Sequence, residues 1–100
     1  MYACYILYSQ TLETFYVGES ESVEDRLKQH NSGLFDRAFT SQATDWTIFL
    51  VLNCNDRGHA RRIESHIKEM KSKVYFRNLE KYPEMREKLI LRFANGSGSR

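Results

Sequence analysis

Proline occurs once in the 100 residues, glycine five times and cysteine twice. Two of the glycines fall in the closing residues 95–100, a Gly/Ser-rich stretch read as a flexible tail, and no internal repeat is visible. The two cysteines, Cys4 and Cys54, are too few for a disulfide framework and lack the C-x-x-C spacing of a thiol-built zinc site, so both are read as buried thiols. Long apolar runs are missing as well. The early stretch at residues 2–8 is far too short to span a membrane and has no basic leader, so a cytoplasmic protein without a membrane partner is expected.

What is present suits one modest core. A chain of this length with 41% hydrophobic residues predicts a single domain, placed at residues 1–94. Net charge is only +2, yet it is unevenly distributed. Residues 1–56 hold three Lys and Arg against eight Asp and Glu, whereas residues 57–92 hold eleven against five. A basic second half can face a polyanion, although Lys and Arg also populate ordinary solvated helix faces.

The apolar runs at residues 2–8 and 15–18, separated by polar residues 9–14, predict a hairpin. Antiparallel pairing with Tyr5 opposite Tyr16 would project both phenols from one sheet face. Ser22-Val-Glu-Asp25 resembles a capping box for a helix running to about Asn31, with Gly33 as its stop. On that helix Val23 and Leu27 face the core, while Arg26 and His30 form a second stripe four residues apart. Residues 34–45 read as a loop and residues 46–54 as the strongest strand. Asp56 or Gly58 opens a helix whose Ala60, Ile63, Ile67, Met70 and Val74 recur at core spacing. A basic helical stretch over residues 75–82 follows, and Pro83 begins a last helix burying Met85, Leu89 and Phe93. The fold class is therefore α+β: a small three-stranded, mainly antiparallel sheet flanked by helices.

Each chemistry-bearing residue has an ordinary reading when taken alone. Tyr5 and Tyr16 are strand aromatics, Gly18 is a turn glycine, Arg26 and His30 are solvated helix residues, and Glu64 is a surface ion-pair partner. Asn78 could be a plain helix residue. A metal cluster of His59, His66 and Glu64 is disfavoured, because Glu64 and His66 fall on different helix sides.

Their joint order says more. Tyr5, then Tyr16-Val17-Gly18, then Arg26 and His30, then a helical Glu64 resembles the GIY-YIG nuclease family over residues 2 to about 91. The segments HNSG (30–33) and NLEKYPE (78–84) are similar to small standalone bacterial domains of that type. The first triplet is Ala3-Cys4-Tyr5, which keeps only the tyrosine, and Glu19 stands where some relatives carry a lysine.

The resemblance implies a metal-dependent endonuclease that hydrolyses phosphodiester bonds in DNA, with selectivity for nucleic-acid structure. It implies Tyr5, Tyr16, Arg26, His30 and Glu64 as catalytic, Gly18 as a backbone position of the motif, Asn78 as accessory, and Glu64 as ligand of Mg2+ or Mn2+. Such chemistry needs a cation for developing negative charge, a fork for the nonbridging oxygens and a base for water. Either phenol could be that base. The five catalytic residues are expected to converge on one solvent-open cleft. The rival readings are a catalytically weak nucleic-acid-binding module and a structural or protein-interaction domain.

Overall fold

The computed structural model describes residues 2–32 and 39–94. Three strands, β1 (Tyr2–Ser9), β2 (Thr14–Ser20) and β3 (Thr47–Cys54), form a sheet in the order β2-β1-β3. Both pairings of the central β1 are antiparallel. Helices α1 (Val23–Ser32), α2 (Arg57–Met70), α3 (Lys73–Lys81) and α4 (Pro83–Arg92) surround it, with a 3-10 turn at Phe39–Gln42. The α+β expectation holds. The expected helix stop at Gly33, the first part of the expected loop at residues 34–38 and the tail at 95–100 lie outside the described residues.

Alternation along β1 feeds two cores, one on each sheet face. Cys4 and Ile6 join Val17, Leu52, Ile63, Ile67, Phe76, Leu79 and Leu89 on the side of α2, α3 and α4. Tyr5 and Leu7 join Ala43, Trp46, Tyr16, Val23 and Leu27 on the side of α1. Each fully buried aliphatic side chain contributes about 1.5–3 kcal/mol, so the first cluster supplies most of the hydrophobic stabilisation and the second positions polar groups.

The hairpin register differs from expectation by two residues. Tyr5 lies opposite Gly18, and Tyr16 opposite Leu7. The phenols still share a face, because a shift of two preserves the alternation. The cause is the connection. Glu13 adopts a positive φ of 51° and its N–H donates to the Gln10 carbonyl, which closes the turn and fixes the pairing. Asp45 then anchors the loop, accepting from the Ser9 hydroxyl at 2.6 Å and the Thr11 N–H at 2.9 Å. These bonds, led by Ser9, hold its carboxyl below the usual range.

Helix boundaries follow local chemistry. Ser22 Oγ accepts from Asp25 N–H at 3.4 Å, but the reciprocal half of a capping box is replaced: the Ser22 N–H donates to Ser20 Oγ at 3.0 Å. Asp56 caps α2, accepting from His59 N–H at 2.8 Å. That helix ends at Met70 because Lys71 turns left-handed with φ 48°, and Ser72 caps α3 through the Tyr75 N–H. The core stripe expected to run through Met70 and Val74 therefore stops at Ile67, leaving Met70 and Val74 exposed. Pro83 stands at the start of α4, as its missing N–H favours.

Candidate active site

Gly18 is a strand residue rather than the turn residue expected. A Cβ placed there would lie 2.6 Å from the Tyr5 hydroxyl and 3.1 Å from the Tyr16 ring, so the glycine makes room for the Tyr5 phenol to lie across β2. That hydroxyl meets His30 Nε2 at 3.1 Å, and His30 Nδ1 meets Thr40 Oγ1 at 2.8 Å. Thr40 is held in turn, since its carbonyl accepts from the Trp46 indole at 2.8 Å. A further clamp fixes the helix end: Asn31 Nδ2 donates to the Trp46 carbonyl, and the Trp46 N–H donates to Asn31 Oδ1 at 2.8 Å. The buried polar line Tyr5–His30–Thr40 is thus satisfied at every junction, as a low-dielectric setting demands.

Burial and charge set the proton affinities. Burial pushes the Tyr5 phenol up to about 12, although a hydrogen bond from Arg26 opposes the rise. Burial lowers His30, and the neighbouring Arg26 charge lowers it further. At neutral pH the pair is a protonated phenol against a neutral imidazole. Cys4, packed on the other sheet face, is raised by burial and then by Cys54 and Glu64, so it is an inert thiol.

Tyr16, Arg26 and Glu64 are half-buried and reach solvent, whereas Tyr5 and His30 are buried. The expected open cleft is therefore layered, with the tyrosine and histidine of the first row behind it. The Tyr16 ring packs 4.9 Å from the His30 ring and 6.4 Å from the Tyr5 ring, centroid to centroid. Glu64 comes from α2, which packs on the Cys4 and Ile6 face of the sheet, and its charge contributes to the raised Tyr5 value. Its Oε2 accepts from Lys68 Nζ at 2.9 Å. Burial pulls the Lys68 ammonium down, but Glu64 outweighs it, with Tyr16 and Cys4 adding, so Lys68 is raised. Tyr5, Tyr16 and His30 pack together, Arg26 stands beside the Tyr5 phenol, and the charge of Glu64 acts on that phenol.

Asn78 stands apart on α3, between Phe76 and Leu79 of the other core, and its carbonyl takes the Tyr82 N–H at 2.8 Å. His59 is structural: its Nδ1 accepts from Asn55 N–H and its Nε2 donates to the Ile90 carbonyl at 2.9 Å. Among the described residues no three His, Cys, Asp or Glu side chains come together as a metal cage. Glu19, which stands where some relatives carry a lysine, is paired with Arg57 at 3.6 Å.

The Glu64–Lys68 pair is the four-residue helical ion pair that the ordinary reading of Glu64 expects. Two participants, Thr40 and Arg57, gave no signal in the sequence, because their partners lie ten and thirty-eight positions away. A cavity of about 430 Å3 lies elsewhere, between α2 and the end of α4, lined by Arg61, Arg62, His66 and Arg92 among others. A polar one of about 200 Å3 borders the site, lined by Tyr2, Glu19, Ser20, Glu21, Arg26 and Arg57.

A three-stranded antiparallel sheet that sets two tyrosines against a helical arginine and histidine defines a nuclease-like α+β domain. The family profile of the GIY-YIG catalytic domain matches residues 1–83, and the chain belongs to the GIY-YIG family. Neither the curated proteins nor the solved structures gave a match. Membership implies a nuclease lineage, a nucleic-acid substrate and the metal dependence general among these nucleases. Among the described residues no helix is long and apolar enough to cross a membrane.

Proposed function

We propose that the protein is a metal-dependent endonuclease that hydrolyses phosphodiester bonds in DNA, with Tyr16, Arg26 and Glu64 meeting the substrate. The single observation that carries this reading is the packing of Tyr5, Tyr16 and His30 together with Arg26 beside the Tyr5 phenol and the Glu64 charge acting on it. Glu64 fits a hard divalent cation. It offers one half-buried carboxylate, already holding a cation in the form of the Lys68 ammonium, and leaves the remaining coordination to water and phosphate oxygens. When bound, Mg2+ or Mn2+ supplies Lewis acidity to an oxygen that gains negative charge.

The chain's own residues do the rest. Arg26, beside the Tyr5 phenol, offers a planar, permanently charged fork to the nonbridging oxygens. Tyr16 is the phenol that solvent reaches, and this favours it over Tyr5 for contact with the attacking water. Tyr5 stays protonated and, with His30 and Thr40, forms the floor on which Tyr16 and Arg26 are positioned. Asn78 belongs to the packing of α3 in this reading.

The test is Glu64→Gln against wild type on duplex, branched and single-stranded DNA with Mg2+ or Mn2+. Cleavage is expected to collapse while binding and melting temperature hold, because the substitution keeps shape and removes only the charge. Equal cleavage by both proteins would remove Glu64 from the site.

A further inference from the structure

Helix α2 carries Arg57, Arg61, Glu64 and Lys68 at steps of four, three and four residues. That spacing draws one stripe along a helix, here about 16 Å long at a rise of 1.5 Å per residue. Arg57, Arg61 and Lys68 are exposed, and Glu64 lies between them, half-buried. The residues at positions 60, 63 and 67 lie in the core on the adjoining arc, about 100° round the helix, so the stripe runs along the boundary between core and solvent beside β2. An arc meant only for solvent gains from alternating signs. Arg57 and Arg61, like charges four apart, instead repel slightly.

A second observation comes from the polar cavity of about 200 Å3, where Arg57 of α2 and Arg26 of α1 line the same space. One guanidinium already stands beside the Tyr5 phenol, and the other begins the stripe. Glu19 reaches into this cavity and holds Arg57 at 3.6 Å, its side chain only 16% exposed. A carboxylate beside a guanidinium occupies the place that a phosphate oxygen would take and carries the same sign of charge.

We propose that the exposed stripe of α2 is the track of the strand being cut, with Arg57 and Arg61 taking backbone phosphates on one side of the bond at Glu64 and Lys68 taking one on the other. Glu19 is the track's internal occupant, released from Arg57 when the strand arrives. This rests on the endonuclease reading, and it adds a polarity-independent requirement: phosphates on both sides of the scissile bond. The alternative seat is the cavity between α2 and α4, which Arg61 also lines and where Arg92 adds positive charge, with Lys88 in the adjoining cavity.

Salt dependence of binding distinguishes the two seats, because removing one phosphate-binding cation lowers the slope of log affinity against log salt by roughly 0.7–0.9. Binding of labelled single-stranded and duplex oligodeoxynucleotides is measured with a chelator present for wild type, Arg57→Ala, Arg61→Ala, their double, Glu19→Gln and the Lys88→Ala/Arg92→Ala pair. Melting temperatures are recorded for each. The arginine variants are expected to lower the slope by about one each and affinity about three- to tenfold. Glu19→Gln is expected to tighten binding several-fold and steepen the slope, and the α4 pair to leave it unchanged. Arg61→Ala, which disturbs no ion pair among the described residues, keeps the test valid if the Glu19 or Arg57 variants fold poorly. An unchanged slope in folded Arg61→Ala and the double variant, or any loss that the α4 pair shares, overturns the track. Cleavage by wild type with Mg2+ is scored in parallel. Cleavage with α2-independent binding sinks the track alone, whereas α2-dependent binding without cleavage sinks the nuclease reading alone.

Discussion

The Tyr5 hydroxyl lies over Gly18, its partner across the hairpin, 2.6 Å from where a side chain there would begin. The ring's terminal carbon is equally close at 2.7 Å, and Tyr5 is fully buried, so it has nowhere to retreat. Gly18→Ala is therefore expected to destabilise the fold by roughly 1–3 kcal/mol, the range for overpacked cores. Denaturant unfolding of the two proteins checks this, and equal midpoints would mean that the phenol has freedom to move.

The two tyrosines predict opposite phenotypes. Tyr5→Phe removes the hydroxyl that meets the buried His30 Nε2, and loss of this buried hydrogen bond costs about 1–3 kcal/mol of stability. Tyr16→Phe removes a hydroxyl that solvent reaches, so stability should hold while the cleavage turnover falls. Measuring unfolding and turnover on both variants tests the assignment. Should Tyr16→Phe cut at the wild-type rate, another group must activate water.

Acid should weaken the fold through His30. Its folded value lies below the ordinary one near 6.5, so the unfolded chain takes up a proton first as pH falls. The stabilising contribution is complete above about 6.5 and is lost as pH drops through the lowered folded value. His66 is shifted in the same direction by burial and Arg92, and it adds to the loss. His30→Gln should retain only the His66 part. Melting temperature against pH, with imidazole resonances followed by NMR, separates them; a His30 resonance titrating at or above 6.5 would contradict the reading.

Asn31→Ala removes both hydrogen bonds that join the end of α1 to the start of β3. A loss of about 1–3 kcal/mol is expected. The His30 ring should also change its NMR environment, since Trp46 holds Thr40 and Thr40 holds His30. An unaltered His30 signal would show that the histidine is positioned by α1 alone.

Much of this architecture was legible in the chain. Alternating strands and helical spacing gave the elements, and the capping residue Asp56 and Pro83 marked helix starts because their effects are local. The hairpin register was not, since it depends on Glu13 entering left-handed space, which few residue types announce. The same is true of Lys71, whose turn ends α2 before the apolar spacing does. Of the site, the motif residues could be named, but not their depth. That Tyr5 and His30 are buried while Tyr16 is accessible follows from packing of Trp46 and Leu7 around them, a tertiary matter. The Thr40 and Arg57 partnerships are equally non-local.

Because β1 is the middle strand and alternates between the two cores, its neighbouring positions answer to different demands. Cys4 and Ile6 are replaceable by apolar residues of similar size, while Tyr5 between them is tied to a histidine, a threonine and a bare glycine. Point changes can therefore sample β1 one position at a time, but a single inserted or deleted residue would exchange the two sets at once. Length variation in this lineage is expected to accumulate away from β1, and drift within it to proceed by substitution alone.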